Sequence, residues 1–345
     1  MALPSAGPCP AGSRPREARG RETLANLLQT VMRALYTALP AKQSLQVQSL
    51  KALGEWPNLD RPTTFNERLH ALKLAPHDPL LPLLADKVRV KDWVAERVGR
   101  DVLIPTLWSG KVLPAQAPCD TPFVVKANHS SGWNAFIRER DDAAWQRLRE
   151  TSVTWLQDDW HPYLHEWWYN DIERLLLIEP MIGENLNDYK FFCFSGKVRA
   201  VQVDAGRFTD HQRSFFDADW KLLPFAFSYP PIDGAVPAPR HLARMIELAE
   251  TLSAGFAFAR IDFYDLEAGP RFGEITFAPE AGFGRFMPRS ADRMLGEWWK
   301  RASAAPPPRP TATCRSRSER HVQRRTNFAL MVRTWSSRSS RIAAA

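Results

Sequence analysis

Alternation of apolar and polar residues is clearest between Phe258 and Phe277. Ala259, Ile261 and Phe263 fall on one face of an extended run, and Arg260, Asp262 and Tyr264 on the other. That period of two marks a strand. A second run follows Gly269-Pro270, a strong breaker, so the stretch reads as a hairpin with residues 265–271 as its loop. Folded symmetrically about Ala268, it sets Tyr264 against Phe272, Asp262 against Glu274 and Arg260 against Thr276.

Elsewhere the period lengthens. Leu24, Leu27, Leu28, Val31, Leu35 and Leu39 recur at helical spacing over residues 23–39. Thr64, with Glu67 three residues on, is a capping box opening a helix at "TFNERLHALKL". "LLADKVRVKDWVAERVG" reads as one further helix stopped by Gly99. "DVLIPTLWSG" is a short strand and loop, and "TPFVVKANHSSG" a strand running into a loop. A helical stretch over 141–157 precedes the buried-looking strand "RLLLIEPMI" (174–182). Residues 188–208 form two strands joined at Ser195-Gly196, and 241–255 an amphipathic helix ended by Gly255. Strands and helices mix irregularly, which predicts an α+β protein rather than a doubly wound sheet.

Composition divides the chain further. Residues 1–22, rich in Pro, Arg, Gly and Ala, read as disordered, and 23–115 as a mostly helical N-terminal region. Residues 301–345 lose periodicity behind the linker "APPPRP" and read as a disordered Arg/Pro/Ser-rich tail. That tail holds ten arginines and one glutamate, against +8 for all 345 residues, so the first 300 carry about −1. The basic character therefore does not argue for a nucleic-acid surface on the folded part. Four cysteines without C-x-x-C spacing suggest neither a zinc site nor a disulfide framework. No apolar run has the length of a membrane span, and the expected location is cytoplasmic.

Acidic groups on strands need partners. Directly opposed side chains lie about 5 Å apart at Cβ, so Asp262 and Glu274 require a cation. Arg260 can serve as an internal counter-ion. Mg²⁺ is the other reading, because it takes oxygen ligands from one or two carboxylates and completes its shell with phosphate. Lys126 ends the apolar strand "FVVK", where a lysine needs an anion or a route to water. Lys190 shares a strand face with Phe192 and Phe194, and Glu179 ends "LLLIE" just before the strand-breaking Pro180. Lysines for phosphate, carboxylates for metal and an interrupted strand for a base together suggest a nucleoside-triphosphate site.

The order Lys126, Glu179, Lys190, Asp262, Glu274 resembles the ATP-grasp superfamily. "TFNERL", "DPLLPLLADK", "FVVKANHSSG", "LNDYKFFCFSGK" and "ARIDFYDLEAGPRFGEITFAPEAGF" resemble the TupA-like ATP-grasp family, named for teichuronopeptide synthesis and associated with cell-surface polysaccharide. The likeness runs from about Pro57 to Lys300. It implies an ATP-grasp fold over residues 116–300, two α/β subdomains clasping ATP, with a lid over about 120–182. Its reaction would be ATP- and Mg²⁺-dependent activation of a carboxylate as an acyl phosphate, attacked by an amine or similar nucleophile. Lys126 would then meet phosphates, while Glu179 and the backbone at Met181 and Ile182 hold adenine. Glu184 or Asp188 would lie near the ribose, Lys190 near the phosphates, and Arg260 beside the transferring phosphoryl group. Asp262 and Glu274 would ligate the metal. Thr276 stands where the superfamily commonly has Asn, and its hydroxyl still offers an oxygen.

Arg207, His211 and Arg213 form a basic cluster that suits a substrate carboxylate, a solvated turn being the plainer reading. The competing class is a glycosyltransferase, for which Asp217 and Asp219 would supply the D-x-D motif. The same residues also read as an Asp-rich turn.

Overall fold

In the computed structural model, residues 29–119, 122–157, 161–206 and 210–303 are described. The chain divides into units 1–305 and 306–345, and the described residues all belong to the first. Helices come first: α1 (residues 29–38), α2 (Ala41–Leu53), α3 (Phe65–Leu74), α4 (Leu80–Ala85) and α5 (Val90–Val98). The capping box is present, with the Glu67 N–H donating to Thr64 Oγ1 and the Thr64 N–H to Glu67. Helix α2 escapes the hydrophobic pattern because its buried face is largely polar: Ser44, Gln48 and Ser49 beside Leu45. The single helix expected at "LLADKVRVKDWVAERVG" is instead two. Asp86 ends the first of them and accepts the Val88 and Arg89 N–H groups at 2.8 and 3.3 Å, which holds the turn that leads into α5.

Four strands follow around one helix: β1 (Trp108–Gly110), β2 (Phe123–Ala127), β3 (Asn134–Ile137), α6 (Asp142–Trp155) and β4 (Leu176–Pro180). They pair antiparallel in the order β1-β4-β2-β3. This sheet takes its edge from 108–110, outside the 120–182 span expected for the lid. Phe123, Val125, Leu176 and Ile178 face a core with Trp145 of α6.

The larger sheet runs β10-β9-β5-β6-β7. Its strands are β5 (Asp188–Phe194), β6 (Lys197–Ala205), β7 (Gln212–Phe216), β9 (Phe258–Leu266) and β10 (Gly269–Thr276). β8 (Ala226–Phe227) and β11 (Phe286–Met287) pair separately, α7 (Leu242–Ser253) precedes β9, and α8 (Ser290–Ser303) ends the unit. One sheet face, carrying Phe191, Val201, Val203, Ile261, Phe263 and Ile275, packs against α7 and α5. The opposite face is divided. Phe192, Phe194, Ala200, Phe215 and Phe258 meet α3 and α8 around the fully buried Phe65, while the rest of it is charged.

Asp292 of α8 joins that helix to α3 by accepting the Asn66 N–H at 2.9 Å and its side-chain amide at 3.1 Å. Burial pushes its carboxyl up to about 6, against the hydrogen bonds from Asn66. A folded value above the unfolded one, about 3.9, means stabilisation present below that pH and lost as pH rises through about 6. Wild type compared with Asp292→Asn should therefore lose on the order of 2–3 kcal/mol between pH 4 and 7. Denaturant midpoints across that range check this, and a constant difference would contradict it.

Candidate functional site

Strand alternation builds the charged half of the large sheet. Arg260 and Asp262 on β9 share a face, as do Glu274 and Thr276 on β10, Asp188 and Lys190 on β5, and Gln202 and Asp204 on β6. Register brings them together: Lys190 pairs with Asp262 and Gln202, Asp262 with Glu274, Asp188 with Asp204, and Asp204 with Arg213. The hairpin is not symmetric near its turn. Only Glu267 and Ala268 form the loop, and Tyr264 faces Arg271 rather than Phe272. A bulge at Gly273 takes up the extra residue and restores Asp262 opposite Glu274 and Arg260 opposite Thr276. A Cβ at Gly273 would stand 3.3 Å from the Asp262 carbonyl oxygen, so the bulge suits glycine.

Arg260 lies among these groups. Its Nε and Nη2 each donate to an Asp262 oxygen at 2.7 Å, and Nη2 also reaches Glu274 Oε1 at 3.1 Å and Thr276 Oγ1 at 2.9 Å. Lys190 donates to Asp262 at 3.0 Å and Asp188 at 3.3 Å. Burial works against the Lys190 charge, but Asp188 and Asp262 more than reverse it and raise its pKa. Arg260 is likewise raised, burial being outweighed by Asp262 and Glu274. The internal counter-ion expected from sequence is thus present.

Each carboxylate accepts about four hydrogen bonds, so the acids can take a cation without dismissing the arginine. Among the described residues no three His, Cys, Asp or Glu side chains gather as a metal set. Two hard oxygen donors beside two cations fit Mg²⁺ that arrives with phosphate, rather than a closed protein cage.

Further along, Arg213 is buried and already engaged. It donates to Asp204 at 2.6 Å, Glu280 at 2.7 Å and the Phe227 carbonyl at 3.2 Å. The solvated-turn reading fails for it: its guanidinium is buried over the Tyr229 ring. His211 Nε2 lies 3.4 Å from Asp204, and Arg207 falls outside the described residues. Asp204 is held far below the usual carboxylate range; burial would raise it, but His211, Arg213 and Lys190 outweigh that.

The small sheet contributes a second set. Glu179, 5% exposed, accepts from Lys126 at 2.7 Å and from Lys91 of α5 at 2.5 Å. The Met181 N–H donates to the Pro122 carbonyl at 3.0 Å, and Ile182 beside it is half-buried. Glu184 is exposed and paired with Arg138 at 2.9 Å, whereas Asp188 is buried against Lys190. Lys87 links the sheets, donating to the Ser130 carbonyl at 2.7 Å and lying 3.6 Å from Glu274.

Lys87, Lys91, Asp204 and Glu280 were not singled out by sequence reading. An Asp followed by a helical period at Asp86 would have indicated the turn there, with Lys87 in it and Lys91 in the first turn of α5. Glu280 carries no such signal: it and Ala281 adopt φ near +50° in an aperiodic loop. Asp217 is a turn residue, its Oδ1 accepting the Asp219 and Lys221 N–H groups at 2.9 and 2.8 Å, with Asp219 largely exposed.

Residues 67–300 match the TupA-like ATPgrasp family. No curated protein matches the chain. Many solved structures are similar, among them the following three. D-alanine–D-alanine ligase from Bacillus anthracis, complexed with ATP, is 13% identical over 65% of this chain and 68% of its own, with TM-score 0.37. D-cycloserine synthetase DcsG is 15% identical over 66% and 71%, with TM-score 0.36. The ATP-grasp ligase PsnB, complexed with a phosphomimetic variant of its minimal precursor, Mg and ADP, is 10% identical over 66% and 60%, with TM-score 0.39.

Proposed function

The chain belongs to the TupA-like ATP-grasp family, and from that premise we propose that it is a ligase using ATP and Mg²⁺ to activate a carboxylate. A substrate carboxylate oxygen attacks the γ-phosphorus and ADP leaves. An amine or similar nucleophile then attacks the acyl carbon of the acyl phosphate, and inorganic phosphate departs. The observation that carries this reading is the meeting of Asp262, Glu274, Lys190 and Arg260 on one sheet face.

Asp262 and Glu274 would hold Mg²⁺, assisted by Thr276, whose hydroxyl lies 3.3 Å from Glu274 Oε1. Bound there, the metal would supply positive charge that offsets the negative charge of the phosphates. Lys190 and Arg260, both held protonated, stabilise negative charge on the transferring group without reorganising. Lys126 supplies donors for the other phosphates, and Glu179 with the Met181–Ile182 backbone borders the base. Of the two acids considered for the ribose, exposed Glu184 is assigned, since Asp188 is taken by Lys190. His211 and Arg207 remain assigned to a substrate anion, with Arg213 supporting His211 through Asp204. In this reading the substrates are small or glycan-linked carboxylates and amines, the family likeness supports a role in cell-surface polysaccharide synthesis, and the cytoplasmic location expected from sequence is kept. No helix among the described residues is long and apolar enough to cross a membrane.

Thermal stability with ATP·Mg²⁺, UDP-sugars or buffer tests the reading. A ligand at a hundred times its Kd adds about 2.7 kcal/mol to the native state. ATP·Mg²⁺ is expected to stabilise and UDP-sugars are not. Stabilisation by UDP-sugars alone would overturn the ligase reading and redirect attention to Asp217 and Asp219.

A further inference from the structure

Glu179 carries two lysines where one would neutralise it. The strand register explains the first. Val124 pairs with Glu179 and Lys126 with Leu177, so Lys126 and Glu179 are diagonal neighbours on the sheet face turned away from the Trp145 core. Long side chains span that diagonal, and Lys126 Nζ reaches Oε2 at 2.7 Å. Lys91 comes from α5, 88 residues away in sequence, and takes the other oxygen, Oε1.

The two ammonium groups differ in what they have left to give. An ammonium has three donors. Lys91 meets three acceptors: Glu179 Oε1 at 2.5 Å, the Ile104 carbonyl at 2.8 Å and Thr106 Oγ1 at 2.6 Å. Lys126 makes one hydrogen bond among the described residues, to Glu179, and its side chain is 27% exposed. Two of its N–H groups are therefore available to an anion.

We propose that Lys91 is a positioning residue of the nucleotide site, its saturated ammonium fixing Glu179 as a charged anchor that aims the remaining donors of Lys126 at phosphate. The inference rests on the nucleotide reading above. Lys91 and Lys126 are the charged groups that face Glu179 among the described residues. Burial alone would raise the Glu179 carboxyl, and the two lysines together bring it below its ordinary value. With one of them neutralised, Glu179 would take up a proton at higher pH and release Lys126.

The test uses the full chain as wild type, Lys91→Gln, Lys91→Arg and Lys91→Gln/Glu179→Gln. ATP·Mg²⁺ affinity is measured by calorimetry from pH 5 to 8, and the ligand-free Glu179 carboxyl is followed by NMR. Wild type should be flat across this range. Lys91→Gln should bind at least tenfold more weakly at pH 6 and recover as pH rises, with Glu179 titrating in the same interval. Lys91→Arg should remain flat and within threefold of wild type, and the double variant should be weak and flat.

Wild-type affinity in Lys91→Gln, or a pH-independent loss that arginine does not restore, overturns the proposal. Should Lys91→Gln not fold, Lys91→Arg decides, and a tenfold loss there overturns it. If wild type fails to bind ATP·Mg²⁺, the nucleotide reading falls, and with it the aiming of Lys126 at phosphate. The carboxyl titration then reports separately whether Lys91 anchors Glu179.

Discussion

Asp262→Asn is expected both to destabilise the protein and to remove its response to ATP·Mg²⁺, whereas Glu274→Gln should do only the second. Asp262 is 5% exposed and takes two hydrogen bonds from Arg260 and one from Lys190. Asparagine fits the space but leaves two buried cations short of negative charge, a change that typically costs about 3–5 kcal/mol. Glu274 has a side chain 33% exposed, so solvent screens its pairs with Arg260 and Lys87. Its neutralisation should change stability by no more than about 1 kcal/mol. On the proposed reading both variants would lose a metal ligand, and ADP release should then fall on the order of a hundredfold or more.

Denaturant midpoints, thermal shifts with ATP·Mg²⁺ and ADP release together separate these effects. Glu274→Gln is the cleaner probe, because its fold should survive. Retention of the full ATP·Mg²⁺ shift in that variant would reduce the acidic pair to an internal ion pair with Arg260.

Arg213→Met should lower stability by about 3–5 kcal/mol at neutral pH, by leaving Asp204 buried without its main partner. Asp204 is 2% exposed and holds the Arg213 guanidinium at 2.6 Å. Its folded carboxyl lies well below the unfolded value of about 3.9. A depressed carboxyl contributes stability that is present above that pH and lost as pH falls through the folded value. In Arg213→Met the folded value rises, so the variant loses this contribution at higher pH. The gap from wild type should therefore narrow below about pH 4. Urea midpoints from pH 3 to 7 measure it. If Arg213 served only to bind a substrate carboxylate, the variant would keep its midpoint and raise KM alone.

The hairpin was the most legible part of the molecule, and its reason is local. Side chains alternate along a strand whatever surrounds it, so Arg260, Asp262, Glu274 and Thr276 were bound to share a face once the run was extended. The turn was less legible, because a bulge at Gly273 shifts the register without changing the apolar pattern. Helix α2 stayed hidden for the opposite reason: its buried face is largely polar, and Gln48 and Ser49 meet partners beyond the helix only in the folded protein. Gln48, for example, donates to the Tyr163 carbonyl at 2.7 Å.

The same division runs through the candidate site. Lys126, Glu179, Lys190 and the hairpin acids could be nominated from sequence because each interrupts an apolar strand, where an ionised group is costly without a partner. Which partner each one meets was not written there. Arg213, in a cluster that also fitted a solvated turn, is buried against Asp204, and Lys91, which no sequence signal singled out, is fastened to Glu179. By itself the sequence determined which strand positions carry charge toward one face, since backbone geometry sets that residue by residue. Only the tertiary structure decided how those charges pair, because long side chains reach across elements whose docking depends on contacts far apart in the chain.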